Sequence, residues 1–369
     1  MQSPGPAMMF NRRNSFLQLC FVAVALALAA ASAFAEEVPD AQPAQTTLSE
    51  ALAAYGEVVS EVIQAEWLLA EQERSDYSAA PKISAHEHYV ARGDLNIYLN
   101  LMDGLGIKQA VFVPTGMPPD NRGFRENMDK LLAYQRENPH RLWALAACDE
   151  MAEDAVTVLE QAGANGAHGF KSLAGLPDYN RAPLDGPHMR AIWQLCGRLN
   201  WPVLIHIEGD THPHQQVEIE RMLVDFPNVK VILPHYGKMI KHLDWCAQLL
   251  DRYANCYMDL SMGNPIAWYM DFIDANPQPV RDFIIKYQDR LMWGADVIVS
   301  PAWTPERLRA RIITDINLLS RERFASAWSN HLRPLNGLNL PPDVLHKIWW
   351  VNPQRIYGLT VEQPQEAPK

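Results

Sequence analysis

Apolar positions follow two different patterns along this chain from Lys82 onward. Short runs, most of them almost continuously apolar, predict β-strands that are covered on both faces. These runs are Lys82–His88, Lys108–Val113, Arg141–Cys148, Gly166–Ser172, Pro202–Ile207, Val229–His235, Cys256–Ser261 and Arg290–Asp296. Stretches with helical spacing separate them, at Leu95–Leu105, Phe124–Asn138, Ala152–Ala162, Gly186–Asn200, Gln215–Phe226, Met239–Tyr253 and about Val280–Tyr287, with another from Thr304.

Strands that alternate with helices predict βαβ units and a parallel sheet, so the fold class is α/β. Eight such units are the number found in a (β/α)8 TIM barrel. The alternative is a doubly wound open sheet, which would need a glycine-rich phosphate-binding turn after the first strand. The chain has Glu87-His88-Tyr89 there, which favours the barrel.

The first 35 residues predict a cleaved signal peptide. Arg12 and Arg13 form a positive region, Leu17–Ala31 is mostly apolar, and Ala33-Phe34-Ala35 offers a cleavage site. An uncleaved anchor helix is the alternative, but the apolar stretch is short for a bilayer. We therefore expect an exported protein, periplasmic or secreted.

Residues 36–80 predict a tether followed by a helix, residues 81–360 the barrel, and residues 361–369 a tail. The capping box Thr47–Glu50 predicts the start of that helix, which we expect to pack on its own domain or, alternatively, on a second subunit of a homo-oligomer. A late helix is predicted to begin at Pro341-Pro342 and to end at Asn352-Pro353.

Composition excludes some partners. The 369 residues carry a formal net charge of −11, which argues against a nucleic-acid or anionic-membrane surface. The expected partner is a small-molecule substrate. Four cysteines follow the predicted signal peptide, none in a C-x-x-C pair. We expect buried free thiols, and Cys246–Cys256 is the only pairing close enough in sequence to consider.

A histidine pair on the first predicted strand is the strongest chemical signal. Alternate side chains of a strand share a face, so His86 and His88 project together and Glu87 points to the other side. Two imidazoles at this spacing can reach one metal ion. The alternative is one surface histidine and one core histidine without a ligand.

Further predicted strands end in, or carry, residues able to bind metal or transfer protons. A TIM barrel places its active site at the carboxyl ends of the strands. One shared site is therefore predicted from strands four, five, six and eight, with Lys171, His206, His235 and Asp296.

This combination resembles the amidohydrolase superfamily of metal-dependent hydrolases: H-x-H on strand one, histidines on strands five and six, and aspartate on strand eight. The closer resemblance is to its amidohydrolase-related branch, which includes aminocarboxymuconate semialdehyde decarboxylase, aromatic-acid decarboxylases and lactonases. The resemblance spans about Lys82 to Leu359, and its supporting segments are Pro202–His206, Phe226–His235, Arg290–Asp296 and Asn352–Leu359.

The resemblance implies that His86, His88 and His206 are metal ligands and that Asp296 is a ligand that also orients or deprotonates a metal-bound water. It implies that His235 is either a ligand of a second metal or the acid/base that polarises the substrate. Zinc or manganese suits these ligand types, zinc being expected first, and one ion is expected rather than two. Such an ion can lower the pKa of its water towards ~7.

Lys171 admits two interpretations. A lysine inside a barrel has a lowered pKa, and the strand-four lysine of the superfamily often forms a carbamate that bridges two metals. Alternatively, Lys171 stays an ammonium that binds a substrate carboxylate. The second interpretation is favoured, because nothing else in the sequence requires a second metal.

Two positions depart from the family pattern. Ser84 stands where many members have aspartate, and strand alternation predicts that it shares the face of His86. Glu208 stands where glycine is common, and is either a partner of a ligating histidine or a solvent-facing loop residue. Trp268, Tyr269 and Trp303 follow strands seven and eight and could line a substrate pocket, whereas Trp349 and Trp350 are expected to serve packing.

The leading functional hypothesis is a metal-dependent hydrolase that uses metal-activated water on an ester, lactone or amide. The alternative is a metal-dependent, non-oxidative decarboxylase of an aromatic or unsaturated acid, because that branch uses nearly the same residues. A non-catalytic ligand-binding barrel is the alternative from a different class. It would be favoured by a missing residue at a strand end, and the sequence has all the main ones.

Overall fold

The computed structural model describes residues 42–116, 121–177, 179, 183–263, 266–329 and 331–359. The predicted signal peptide at residues 1–35 and the predicted tail at residues 361–369 lie outside these ranges. The chain divides into two compact units, residues 1–64 and 65–369. The described part of the first unit, residues 42–64, is helical, and the strands described below belong to the second.

Helix α1 (Gln42–Glu73) begins five residues before the predicted capping box. The prediction that Thr47–Glu50 starts the helix was therefore wrong. Pro43 is well suited to the first turn, because the N–H that proline lacks is not needed there.

Within the second unit, the end of α1 packs on the barrel through small and polar residues. Ala65 is buried, and the side-chain amide of Gln72 bonds to both the N–H and the carbonyl of Ala325, at 3.0 and 2.9 Å. Trp67 of the same helix is 62% exposed. The expected packing on the same domain thus holds at this end of α1, but not through Trp67.

Among the described residues, eight parallel strands form a closed ring. They are β1 (Lys82–Tyr89), β2 (Ile107–Pro114), β3 (Leu142–Ala144), β4 (Phe170–Ser172), β5 (Val203–Ile205), β6 (Val231–Leu233), β7 (Cys256–Asp259) and β8 (Leu291–Met292). Neighbours along the chain are neighbours in the two sheets. A bridge between Ala146 and Phe170 joins β3 to β4, and a bond from the Ala85 N–H to the Trp293 carbonyl joins β1 to the end of β8. This α/β fold is consistent with the predicted TIM barrel.

Helices follow most of the strands: α2 (Asn96–Met102), α3 (Arg122–Glu137), α4 (Ala155–Ala164), α5 (Pro187–Leu199), α6 (Pro213–Asp225), α7 (Leu243–Arg252), α8 (Ile266–Ala275), α9 (Pro277–Lys286) and α10 (Pro305–Ser320). The sequence predicted one helix between β7 and β8, and the structure has two. Asn276-Pro277 separates them, because proline fits the first turn of α9 and not the interior of a longer helix. Short strands complete the fold: β9 (Ile298–Val299) beside β1, and the antiparallel pair β10 (Arg323–Phe324) and β11 (Leu335–Asn336).

The interior of the ring is filled by one side chain or more from most of its strands. This cluster contains Ile83, Ala85, Val111, Val113, Leu145, Leu204, Ile232, Tyr257 and Met292, together with Ile356, Tyr357 and Leu359 from the end of the chain. The opposite faces of the strands pack under the helices in a larger cluster. Strands buried on both faces explain why the sequence runs were almost continuously apolar.

A buried lysine anchors the amino end of β1. Lys82 is 2% exposed, and its Nζ donates to the carbonyls of Tyr77, Ala80 and Leu105 at 2.7, 2.8 and 3.1 Å. These bonds tie β1 to the segment before it and to the turn after α2. Burial lowers the pKa of Lys82 to about 8.

The chain ends in a helical segment that continues past its predicted end. Helix α11 (Pro342–His346) passes through a π-helical turn (Lys347–Val351) into α12 (Asn352–Tyr357). The prediction of an end at Asn352-Pro353 was wrong. The wide turn, closed by a bond from the Asn352 N–H to the Lys347 carbonyl, lets Pro353 lie in the first turn of α12, where no N–H is needed.

Two other expectations concern burial. Trp349 is 5% exposed, and Trp350 packs partly buried against the inner cluster, as predicted. Cys148, Cys196, Cys246 and Cys256 are buried with free thiols, also as predicted. Within the described ranges, no helix combines the length and the apolar character that crossing a bilayer requires.

Candidate active site

Two histidines and one aspartate converge at the carboxyl end of β1. The Nε2 atoms of His86 and His88 lie 3.1 Å apart. Asp296, which follows β8, places Oδ1 at 3.2 Å from Nε2 of His88 and at 3.6 Å from Nε2 of His86. In the described part of the chain, these residues form the one group of potential metal ligands with three or more members.

A β-bulge in β1 produces this convergence. Ser84 pairs with Ala110 of β2 and Glu87 pairs with Phe112, so three steps along β1 match two steps along β2. The extra residue interrupts the alternation of side chains. Residues before and after the bulge therefore do not follow one continuous inward and outward pattern.

The bulge overturns one prediction from the sequence. Ile83 and Ala85 pack inside the ring, and His86 also faces inward. Ser84 lies instead with Glu87 on the helix-facing side, where its hydroxyl donates to the Glu87 carboxylate. The expectation that Ser84 shares the face of His86 was wrong, because strict alternation does not hold across a bulge.

Hydrogen bonds to the far ring nitrogens orient both imidazoles. Nδ1 of His86 lies 2.9 Å from Oδ2 of the fully buried Asp259, and Nδ1 of His88 lies 2.8 Å from Oγ1 of Thr115. The Asp259 carboxylate can only accept, so His86 carries its proton on Nδ1 and directs the Nε2 lone pair towards the group. A carboxylate behind a histidine in this way is a common feature of metal sites.

Asp259 and Thr115 were missed from the sequence. Asp259 is the last residue of β7, so the rule that identified the other strand ends would have found it. The predicted strand extended to Ser261, which concealed the position of the aspartate. Thr115 gave no signal, because a threonine after a strand is unremarkable.

The protonation states suit metal binding. Burial lowers the pKa of His88 to about 4, so its ring is neutral near pH 7. Burial alone would raise the pKa of Asp296, but His86 and His235 outweigh it and hold that pKa well below its usual value. Neutral imidazole and ionised carboxylate are the forms that bind metal, and the donor set fits a divalent transition metal.

Lys171 lies directly beside this group. Its Nζ is 3.1 Å from Nε2 of His86, and the residue is 1% exposed. Burial lowers the pKa of Lys171 to about 8, although the carboxylates of Asp296, Asp259 and Glu150 oppose that change. The ammonium form therefore predominates near pH 7 while a minor fraction is the neutral amine, which keeps both sequence interpretations of this lysine open.

His235 approaches the group from the opposite side on an unusual turn. The residues His235, Tyr236, Gly237 and Lys238 all have φ between 56° and 63°. Each non-glycine residue in this left-handed region carries a conformational cost of roughly 1–2 kcal/mol. Such conformations cluster at functional sites, where the surrounding structure maintains them.

The turn sets His235 opposite Asp296. Nε2 of His235 lies 3.7 Å from Oδ2 of Asp296, and Nδ1 lies 2.9 Å from Oγ of Ser261, which itself donates to Asp259. The proton of His235 is thus on Nδ1, and its Nε2 lone pair faces the site. Burial lowers the pKa of His235 well below its usual value, which keeps this nitrogen unprotonated at neutral pH.

His206 stands further out. Its Nε2 lies 2.9 Å from Oε1 of Glu208, and its ring centroid is 5.3 Å from that of His235. His206 is therefore near the site but outside the group of His86, His88 and Asp296, and its assignment as a ligand stays a prediction. Of the two interpretations of Glu208, the contact fits a partner for His206.

The aromatic residues proposed as a pocket lining have different environments. Tyr269 is buried, and its hydroxyl donates to the His235 carbonyl at 3.3 Å, so it supports the left-handed turn. Trp268 stacks on Phe272, and Trp303 stacks on Trp328. The two tryptophans therefore have protein partners in the described ranges, and their role in a pocket stays a prediction.

Comparisons with known proteins give the family. A family model described as amidohydrolase matches residues 79–359. No curated protein matches the sequence.

Solved structures with a similar fold share little sequence with this chain. A probable 2-pyrone-4,6-dicarboxylic acid hydrolase from Acinetobacter baumannii, with citric acid bound, is 16% identical with a TM-score of 0.52, over 75% of this chain and 99% of its own. A 2,6-dihydroxybenzoate decarboxylase in complex with 2,6-dihydroxybenzoate is 17% identical with a TM-score of 0.50, over 76% and 100%. An uncharacterized TIM-barrel protein from Bordetella bronchiseptica is 17% identical with a TM-score of 0.51, over 72% and 83%.

At these identities the solved structures support the barrel fold and nothing finer. The family model, in contrast, spans three quarters of the sequence and includes every strand that contributes to the site. The resemblance drawn from the strand ends is thereby confirmed: this chain belongs to the amidohydrolase family.

Proposed function

We propose that this protein is a metal-dependent hydrolase acting on a small ester, lactone or amide. The observation that carries the proposal is the pairing of Asp296 and His235, 3.7 Å apart, beside a donor set that fits a metal. Hydrolysis removes one proton from water and returns one to the leaving atom. Two adjacent groups that can each take up and release a proton can perform both transfers.

The residues divide this work as follows. His86, His88 and Asp296 would hold a divalent ion, zinc by the ligand types, with His206 as a predicted further ligand. Such an ion makes a water molecule more acidic and polarises a carbonyl. Asp296, ionised and itself one of these proposed ligands, accepts the proton of the attacking water. His235, neutral with Nε2 directed inward, relays that proton to the departing oxygen or nitrogen.

A non-oxidative decarboxylase is the second candidate, and Lys171 is the observation that favours it. A buried amine 3.1 Å from His86 can bind a substrate carboxylate as an ammonium. Loss of carbon dioxide leaves a carbanion that needs one proton, and supplying it from His235 requires the protonated form of this residue, which burial disfavours. We place hydrolysis first because decarboxylation does not use Asp296 as a base.

The decisive experiment is a paired assay on the metal-loaded full chain. The protein is purified without chelator, its metal content is measured, and it is screened against lactones, esters, amides and aromatic acids. Acid release followed in a pH-stat reports hydrolysis, whereas carbon dioxide release reports decarboxylation. Hydrolysis that stops on chelation and returns with Zn²⁺ supports the proposal. Carbon dioxide release contradicts it. The proposal is also contradicted if the protein purified without chelator contains no metal and turns over none of these compounds.

Metal stoichiometry then decides the role of Lys171. Two ions per chain that fall to one in Lys171→Ala indicate a carbamate, especially if bicarbonate in the growth medium raises the count. One ion per chain, unaffected by that substitution but with a raised KM, indicates an ammonium that binds the substrate carboxylate.

A further inference from the structure

Glu87 is buried directly behind the site, between the two histidines in sequence but on the opposite face of β1. It is 0% exposed. Its carboxylate accepts bonds from the Tyr98 hydroxyl at 3.0 Å and from the Ser84 hydroxyl. A buried carboxyl group is costly to retain unless several hydrogen bonds satisfy it, so its other partners indicate what it is there to hold.

Those partners are backbone N–H groups on either side of Asp296. The Val297 N–H donates to Oε2 of Glu87 at 2.8 Å, and the Ala295 N–H donates to Oε1 at 3.3 Å. The N–H of Asp296 itself donates to the His86 carbonyl at 2.9 Å. Three consecutive N–H groups are thus bound to β1, two of them by one carboxylate.

Asp296 needs such support because its backbone is left-handed, with φ of 50°. Aspartate tolerates this region better than most residues, yet it is rarely adopted without surrounding constraints. In this conformation the side chain reaches His88 and His86. If the backbone relaxed to an ordinary extended conformation, the carboxylate would leave the donor group.

We propose that Glu87 is a positioning residue that fixes the left-handed backbone of Asp296 and thereby assembles the metal site. This inference rests on the proposed metal site, but concerns how the site is preorganised and not which substrate it uses. Glu87 touches neither the donor group nor any substrate position, because it lies on the helix-facing side of β1. Its effect must therefore pass through Asp296.

The test measures Zn²⁺ affinity of the metal-free full chain, by competition with a chromophoric chelator, in a double-mutant cycle. Glu87→Gln keeps the size but has only one accepting oxygen, so its NH₂ group faces either the Val297 N–H or the Ala295 N–H. We expect a roughly 10- to 100-fold weaker Kd, as is typical when a partner behind a ligand is lost. In an Asp296→Ala background, where the positioned group is absent, Glu87→Gln should change the Kd by less than about twofold.

Matched controls separate positioning from general damage. Tyr98→Phe and Ser84→Ala each remove one donor to Glu87 and leave both backbone bonds, so they should keep the Kd within about threefold. The absorption spectrum of bound Co²⁺ should change in Glu87→Gln and not in these controls. If Glu87→Gln does not fold, Glu87→Asp, which is too short to reach both N–H groups, serves in its place.

An unchanged Kd in Glu87→Gln overturns the inference. An equal loss with and without Asp296 also overturns it, because Glu87 would then act on the histidines or on folding. If Asp296→Ala alone leaves Zn²⁺ binding intact, the proposed metal site fails. Failure of the proposed metal site can thus be distinguished from failure of the positioning role, since the Asp296→Ala variant retains Glu87.

Discussion

Asp259→Asn tests whether one carboxylate orients both histidines that flank the site. Asp259 accepts from Nδ1 of His86 at 2.9 Å and from the Ser261 N–H at 2.9 Å, and also from the Ser261 hydroxyl that contacts His235. Asparagine has the same shape but only one accepting oxygen. Whichever way the amide turns, an NH₂ group faces a donor that Asp259 now satisfies.

The orientation of the amide decides whether metal affinity or stability is lost. If the NH₂ group faces His86, the ring must move its proton to Nε2, which removes the lone pair that would bind metal. Zn²⁺ affinity should then fall roughly 10- to 100-fold. If the NH₂ group faces Ser261, buried donors oppose each other at a cost of about 1–3 kcal/mol in the free energy of unfolding.

The pH dependence of the free energy of unfolding provides an independent test of the role of Asp259. Burial alone would raise the pKa of Asp259, but His86 and the hydrogen bonds outweigh it and lower that pKa from 3.8 to about 2. A folded-state pKa below the unfolded value stabilises the protein above about pH 4, and this stabilisation is lost as the pH falls to about 2. This lowering of the pKa corresponds to a stabilisation of roughly 2 kcal/mol at pH 7, and the variant Asp259→Asn should lack that stabilisation.

Urea denaturation of the metal-free full chain between pH 2 and 7 measures this contribution, and chelator competition measures Zn²⁺ affinity. Asp129→Asn on α3 is the matched control, because it removes the same charge from an exposed position. The reasoning is refuted if Asp259→Asn binds Zn²⁺ as tightly as the control. It is also refuted if the stability difference between the two variants does not shrink as the pH falls below 4.

Two further predictions concern other parts of the barrel. His235→Ala should reduce kcat roughly 10²- to 10⁴-fold while most of the bound metal stays in place, as expected for a proton-transfer group; stoichiometric loss of metal would make His235 a ligand instead. Lys82→Met should lower the free energy of unfolding by about 3 kcal/mol, because two buried carbonyls and one partly buried carbonyl lose their donor. A urea midpoint equal to that of the unsubstituted chain would contradict this, and Zn²⁺ affinity should be unaffected, since Lys82 lies at the far end of β1.

The barrel could be predicted because its evidence is local and repeated. The pattern within each apolar run or amphipathic stretch indicates which of its side chains are buried, and the order of the elements determines the fold class. His86, His88 and Asp296 could be identified because parallel strands bring their carboxyl ends to one rim. Boundaries were less accurate, since residues such as Ser261 follow a strand without belonging to its ladder.

The details of the site depend on contacts that a single sequence does not display. The bulge before His86 arises from the register between β1 and β2, so counting alternate residues placed Ser84 on the wrong face. The partnership of His206 with Glu208 depends on the path of the loop after β5. Asp259 could have been found from the sequence, whereas its contact with His86 required the closed ring.

The bulge in β1 has a consequence for transplanting this site into other barrels. The side chain of Ile83 faces the interior of the ring. If the side chains alternated strictly from there, a regular strand would turn His86 and His88 towards the helices and Glu87 towards the interior. An idealised designed barrel given the segment Ile83–Tyr89 would therefore bury the carboxyl group of Glu87 where the imidazoles belong. A successful graft must import the extra residue together with Gly294 on the adjoining segment, since a Cβ at that position would lie 2.7 Å from the backbone N of His86. The transferable unit is thus an irregular pair of neighbouring strands, and the three-letter motif alone is not enough.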